Sequence, residues 1–290
     1  MSRTVSASAC GKVILTGEHA VVYGEPALAL PLSSARLTVT LEEGEGVELA
    51  DGAPAGAAES VEAALGAVVR SLGVEVPRAR VRVDTGLLRS GMGTSAALGV
   101  ALARALLLWN ERNVEQEAVL AAAAEVERHF HGTPSGIDHT VSALEAPVWF
   151  VRGRAPEVLD GLPELPLLVL PRASRCSTAE TVSDVRAKLE REPALVKVLV
   201  SMGRASWEAR QAWEHDDMQW LAAALGAQQR GLDRLGVVDA TDREGIQAAV
   251  RAGARAAKVT GAGRGGTLLA LVDEESRAAV RDAWGEGVLG

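Results

Sequence analysis

Glu127 and Asp138 are the carboxylates whose surroundings point to chemistry. Glu127 falls near the end of a helix expected over 115–130, whose close is marked by His131-Gly132-Thr133-Pro134. Asp138 follows, near the start of a second helix opening at Ser135 or Gly136. A chain reversal at that turn brings both carboxylates toward one site. Phosphoryl transfer needs such a division of labour: one oxygen ligand for Mg²⁺, and one group that orients an alcohol or takes its proton. Taken singly, each acid reads as a solvated surface charge. Lys12 is different, because a lysine beside Val13-Ile14-Leu15 tends to be held somewhere specific.

A phosphate also needs a cradle. The stretch Arg89-Ser90-Gly91-Met92-Gly93-Thr94-Ser95-Ala96-Ala97 lies between an alternating strand pattern, 79–84, and a long Ala/Leu-rich helical run to about Leu108. Its glycines allow a tight turn, and Thr94 or Ser95 falls where an N-cap or first-turn residue belongs. Free N–H groups and the aligned peptide dipoles at such a helix start favour an anion. On this stretch alone, an ordinary glycine-containing loop with a Thr/Ser cap is the favoured reading.

A second glycine-rich stretch, Gly261 to Gly266, formally fits G-x-G-x-x-G but precedes an apolar strand, 267–272, where a dinucleotide fingerprint needs a helix. It reads as a tight turn between a helix and that strand, or as a loop packed against a ligand or another loop. G-x-x-x-x-G-K-[ST], H-E-x-x-H and G-x-S-x-G are absent, which sets aside Walker-type nucleotide sites, common zinc proteases and α/β-hydrolases. His129 and His131, two residues apart, do not share a helix face and read as helix-end residues, not a metal pair.

The elements that must carry these residues follow from periodicity. The segment 5–15 reads as two short strands or a bent one, broken at Cys10-Gly11-Lys12. Further strands are expected at 27–32, 35–41, 47–49, 148–151 and 167–170, and helices at 59–72, 242–254 and 274–284. The span 177–235 is helical, with breaks near Pro193 and Gly203. Strands first and helices after suggest an α+β fold, with a domain boundary within 152–166. A length of 290 residues suffices for two domains with their own cores. The net charge of −8 argues against a nucleic-acid-binding surface. Two cysteines, Cys10 and Cys176, cannot form a disulfide framework or a Cys-based zinc site. No run reaches the ~18 apolar residues of a membrane span, and residues 1–5 lack a signal-peptide core, so a cytoplasmic location is expected.

Four stretches, in order along the chain, resemble the motifs of one family. Lys12 to Gly24, with Gly17-Glu18-His19-Ala20-Val21 at its centre, resembles the opening signature of mevalonate kinases. Gly91 to Ala97 resembles the phosphate loop of the wider GHMP kinase superfamily, His131 to Asp138 its acidic catalytic segment, and Lys258 to Gly266 its third, glycine-rich motif. The phosphate loop departs from the family's Pro-x-Gly-x-Gly opening, with Leu87-Leu88-Arg89-Ser90 before Gly91.

The resemblance implies a two-domain GHMP kinase fold: a ribosomal-protein-S5-like, ATP-binding domain over 1–158 and a ferredoxin-like domain over 159–290, with the active site between them. It implies phosphorylation of the 5-hydroxyl of (R)-mevalonate by ATP with Mg²⁺, and by family analogy a homodimer. Asp138 and Lys12 would be catalytic, and Ser90, Gly91, Met92, Gly93, Thr94 and Ser95 would bind ATP. Ser95 and Glu127 would hold the metal. Glu18, His19 and Thr178 would meet the substrate, and Gly261, Ala262, Gly263 and Gly265 would form the third motif. Two other implied functions are a phosphomevalonate or sugar kinase of the same superfamily and a non-catalytic ligand sensor on the same fold. The intact set Lys12, Ser95, Glu127 and Asp138 argues against the sensor.

Overall fold

The computed structural model describes residues 3–50, 53–75, 78–89, 91–172 and 177–290. It has an α+β architecture in two compact units, each drawn from separate stretches of chain. The first comprises Met1–Lys12, Pro31–Leu88 and Gly93–Ala146; the second comprises Val13–Leu30, Arg89–Met92 and Pro147–Gly290. Two long strands, β1 (Thr4–Thr16) and β2 (Ala27–Glu43), contribute residues to both.

In the first unit, β2 pairs with β1 and, antiparallel, with β4 (Ala79–Asp84), Val39 lying opposite Val83. A short β3 (Val47–Leu49) adds parallel to β4. Strand β4 alternates buried Ala79, Val81 and Val83 with exposed Arg80, Arg82 and Asp84, the period-2 pattern of a sheet with one wet face. Helix α2 (Thr94–Trp109) packs against α1 (Ala57–Leu72), α3 (Gln116–His131) and α4 (Ile137–Leu144). It is buried on most of its circumference, which explains its near-continuous Ala/Leu composition.

In the second unit, residues 27–29 of β2 pair with β5 (Val148–Phe150), which pairs with β6 (Glu157–Val158). A separate antiparallel sheet runs in the order β7 (Leu167–Leu170), β9 (Leu268–Leu271), β8 (Ala256–Val259). The helices are α5 (Thr178–Arg191), α6 (Val196–Glu214), α7 (Met218–Leu235), α8 (Ala240–Arg251) and α9 (Glu274–Trp284). Both α7 and α8 pack on β8, and Leu199, Met202, Leu232, Val259 and Leu268 share one core. Among the described residues no helix is long and apolar enough to cross a membrane.

Four expectations need correction. Strand β1 is continuous through Cys10-Gly11-Lys12, because Lys12 is buried and paired within the strand instead of turning out to water. Strand β2 is likewise unbroken, with Ser33 and Ser34 exposed on it. Gly203 does not end a helix but lies inside α6. A Cβ there would fall 1.8 Å from Glu25 Oε2, so the glycine makes room for a side chain. Finally, α8 ends at Arg251 and β8 precedes the second glycine stretch, which therefore joins two antiparallel strands.

Candidate active site

Within the first unit, β1, α2, α3 and α4 bring Lys12, Ser95, Glu127 and Asp138 together. Lys12 ends this unit's part of β1, almost wholly buried, and its Nζ lies 3.2 Å from Asp138 Oδ2. Asp138 sits in the first turn of α4, whose N-cap is Gly136. Helix α2 starts at Thr94 with Gly93 as N-cap at φ +78°, placing Ser95 in the first turn instead of at the cap. A Cβ on Gly93 would lie 3.1 Å from Lys12 Cγ and Cε, so the glycine also lets the lysine stem pass. Ser95 Oγ donates to Glu127 Oε1 at 2.6 Å.

Burial, and then the negative charge of Asp138, push the Glu127 carboxyl up to about 7, against the Ser95 hydrogen bond and Lys12. A buried carboxylate with a hydroxyl on one oxygen and a second carboxylate nearby is short of positive charge. Hard oxygen donors of this kind fit Mg²⁺, which usually takes one or two protein ligands and completes its shell with phosphates and water. Among the described residues no group of three or more His, Cys, Asp and Glu side chains is arranged to cage an ion.

His131 joins this set, although its spacing from His129 marked it only as a helix-end residue. Its Nε2 is 3.0 Å from Ser95 Oγ and 3.8 Å from Glu127 Oε1. With the Ser95 hydroxyl committed to Glu127, Nε2–H is the donor toward Ser95 Oγ. Burial holds the imidazole below its ordinary pKa, partly offset by Asp138. The signal was the i, i+4 relation of Glu127 to His131, not the histidine pair.

Within the second unit, the segment Val13–Leu30 is bound to the third motif. Glu18 is fully buried against Lys258, and His19, at φ +59°, places Nε2 3.1 Å from Ala262 O. Burial lowers the His19 pKa to about 4, so the ring is neutral at pH 7, and Nε2 carries the proton given to Ala262. Gly91 packs on Thr267, and Gly261 on the Gly91 carbonyl. Met92 is buried, with its N–H donating to Arg89 O, so its side chain anchors the loop. The third-motif loop is further pinned where Gly265 N–H donates to buried Asp242 at 3.1 Å, and Asp242 pairs with Arg172. Thr178 is exposed at the first position of α5, behind a Ser177–Glu180 capping box. Ser90 and Cys176 lie outside the described residues.

Comparison with known proteins gives a consistent picture. A model described as the GHMP kinases N terminal domain matches residues 55–146, and one described as GHMP kinases C terminal matches residues 209–288. The mevalonate kinase of Pyrococcus furiosus is 31% identical over 97% of this chain and 94% of its own length. That of Aeropyrum pernix is 33% identical over 94% and 90%. Among solved structures, L. major mevalonate kinase in complex with R-mevalonate matches with a TM-score of 0.86 at 27% identity, covering 97% of this chain and 91% of that one.

Proposed function

The chain belongs to the GHMP kinase family, and we propose that it transfers the γ-phosphoryl group of ATP to the 5-hydroxyl of (R)-mevalonate, giving 5-phosphomevalonate. The observation that carries this reading is the Lys12, Ser95, Glu127 and Asp138 constellation in a chain similar over nearly its whole length to mevalonate kinases.

Each residue has a role that its chemistry suits. Asp138 orients the substrate hydroxyl and takes its proton as the bond to phosphorus forms. An aspartate is a weak base toward an alcohol, so the buried Lys12 beside it matters: its side chain favours the oxyanion that develops. The start of α2, from its N-cap Gly93 through Ser95, presents the positive end of the helix to phosphate oxygens. Ser95 and Glu127 are the residues that would hold Mg²⁺. Bound there, the ion supplies neutralisation of phosphate charge and alignment of the transferred group. Glu18 and His19 belong to substrate recognition, with Thr178 at its margin. Catalysis is then mainly positioning and charge neutralisation.

A panel of alcohols tests the assignment. With ATP and Mg²⁺, ADP release is expected to depend on mevalonate and to be far slower with phosphomevalonate or galactose. Preference for another alcohol makes the chain a different GHMP kinase. ATP binding without turnover of any alcohol makes it a sensor.

A further inference from the structure

Three residues spaced by two, Lys258, Thr260 and Ala262, each bond to the segment 14–19. Thr260 Oγ1 accepts the Ile14 N–H at 2.9 Å and lies 3.0 Å from Ile14 O, so one hydroxyl closes on both backbone groups of one residue. Lys258 Nζ donates to Glu18 Oε1 and to Val259 O at 2.6 Å, and lies 3.5 Å from Ile14 O. The Ala262 carbonyl accepts from His19. The motif that ends β8 thus clasps the segment carrying Glu18 and His19.

Lys258 is the most unusual member. It is completely buried, its charge opposed by burial and favoured only by Glu18. Its donors are spent on protein oxygens, so it meets no ligand directly. A buried ion pair is a poor way to gain stability, since apolar residues of equal volume serve as well or better. What a hydrogen-bonded pair supplies instead is a fixed position for the carboxylate and for the backbone that bears it. The neighbouring His19 is held at positive φ, a conformation that needs such support.

We propose that Lys258 and Thr260 are positioning residues for substrate recognition: through Glu18 and Ile14 they fix the Glu18-His19 segment, and the third glycine-rich motif therefore sets affinity for the alcohol as well as shaping a loop. This rests on the reading that Glu18 and His19 meet the substrate. Both residues act through others and neither touches the reacting atoms.

The test compares wild type with Lys258→Met, Thr260→Val and Lys258→Met/Glu18→Gln. Its readouts are KM for ATP, KM for the alcohol that the wild type turns over, mevalonate binding by calorimetry, and Tm. Lys258→Met and Thr260→Val are expected to raise KM for the alcohol by ~10-fold or more while KM for ATP stays within about twofold. The double variant is expected to be no worse than Lys258→Met, because the two groups act as a unit. Folded variants with an unchanged alcohol KM, or with both KM values rising in parallel, overturn the proposal. If Lys258→Met does not fold, the near-isosteric Thr260→Val carries the same decision. A wrong substrate assignment appears in the wild type alone, whereas a wrong clasp appears only in the variants.

Discussion

Lys12 Nζ and Asp138 Oδ2 are 3.2 Å apart, with the lysine almost wholly buried and the aspartate partly open to solvent. The pair joins the middle of a strand to the first turn of a helix. The closed side belongs to the lysine, and the open side to the carboxylate, the group proposed to meet the alcohol. Asp138→Asn keeps the shape and removes the base. Turnover is expected to fall about 10²–10⁴-fold, with ATP affinity largely retained in a fluorescent-nucleotide titration. An equal loss of ATP affinity would assign Asp138 to nucleotide binding.

Lys12→Met tests the other partner. It leaves Asp138 and the buried Glu127 as neighbouring acids without their cation. We expect kcat to fall by at least ~10²-fold while KM for ATP changes little, as for the loss of charge stabilisation confined to the transition state. A variant that loses only ATP affinity would contradict that role.

Ser95 and Glu127 share a 2.6 Å hydrogen bond and are the oxygen donors assigned to Mg²⁺. Glu127→Gln keeps a hydrogen-bond acceptor but removes the anion. The Mg²⁺ concentration for half-maximal rate at fixed ATP is expected to rise by about 10–100-fold. A Mg²⁺ titration that superposes on wild type would remove Glu127 from the metal site.

Much of this is legible in the sequence, and the reasons are local. Strand β4 announced itself by strict alternation, α2 by its apolar run, and the Glu127 and Asp138 pair by the turn between their helices. Lys12 stood out as a lysine among apolar residues. Lys258, between Ala257 and Val259, carried the same signal and was hidden inside a glycine motif that drew attention to its backbone. What was not legible depended on partners distant in sequence. Gly203 looks like a helix break until Glu25 is seen occupying the space of its missing side chain. His131 looks like a helix end until Ser95 arrives beside it.

His19 gives stability a pH dependence of known sign. The unfolded ring takes up a proton near 6.5 and the folded ring only near 4. Between those values the unfolded state binds more protons, so stability falls as pH drops from about 6.5 and is unaffected above about 7. The full loss is on the order of 3 kcal/mol. Urea melts across pH 4 to 7 should show a steeper decline for wild type than for His19→Gln. Parallel curves would mean that the folded ring titrates like the unfolded one.

Gly93 combines positive φ with contact against the Lys12 stem. Gly93→Ala is expected to cost about 1–3 kcal/mol from the backbone conformation and to lower kcat by displacing Lys12. Wild-type Tm and kcat together would show that neither constraint operates.

The central claim is that Lys12, Ser95, Glu127 and Asp138 serve phosphoryl transfer from ATP to mevalonate. ADP release coupled to NADH oxidation, measured with and without (R)-mevalonate in the presence of Mg²⁺, tests it most directly. The account predicts turnover that requires mevalonate and is abolished in Asp138→Asn. ADP release indifferent to mevalonate, or undiminished in Asp138→Asn, would contradict it.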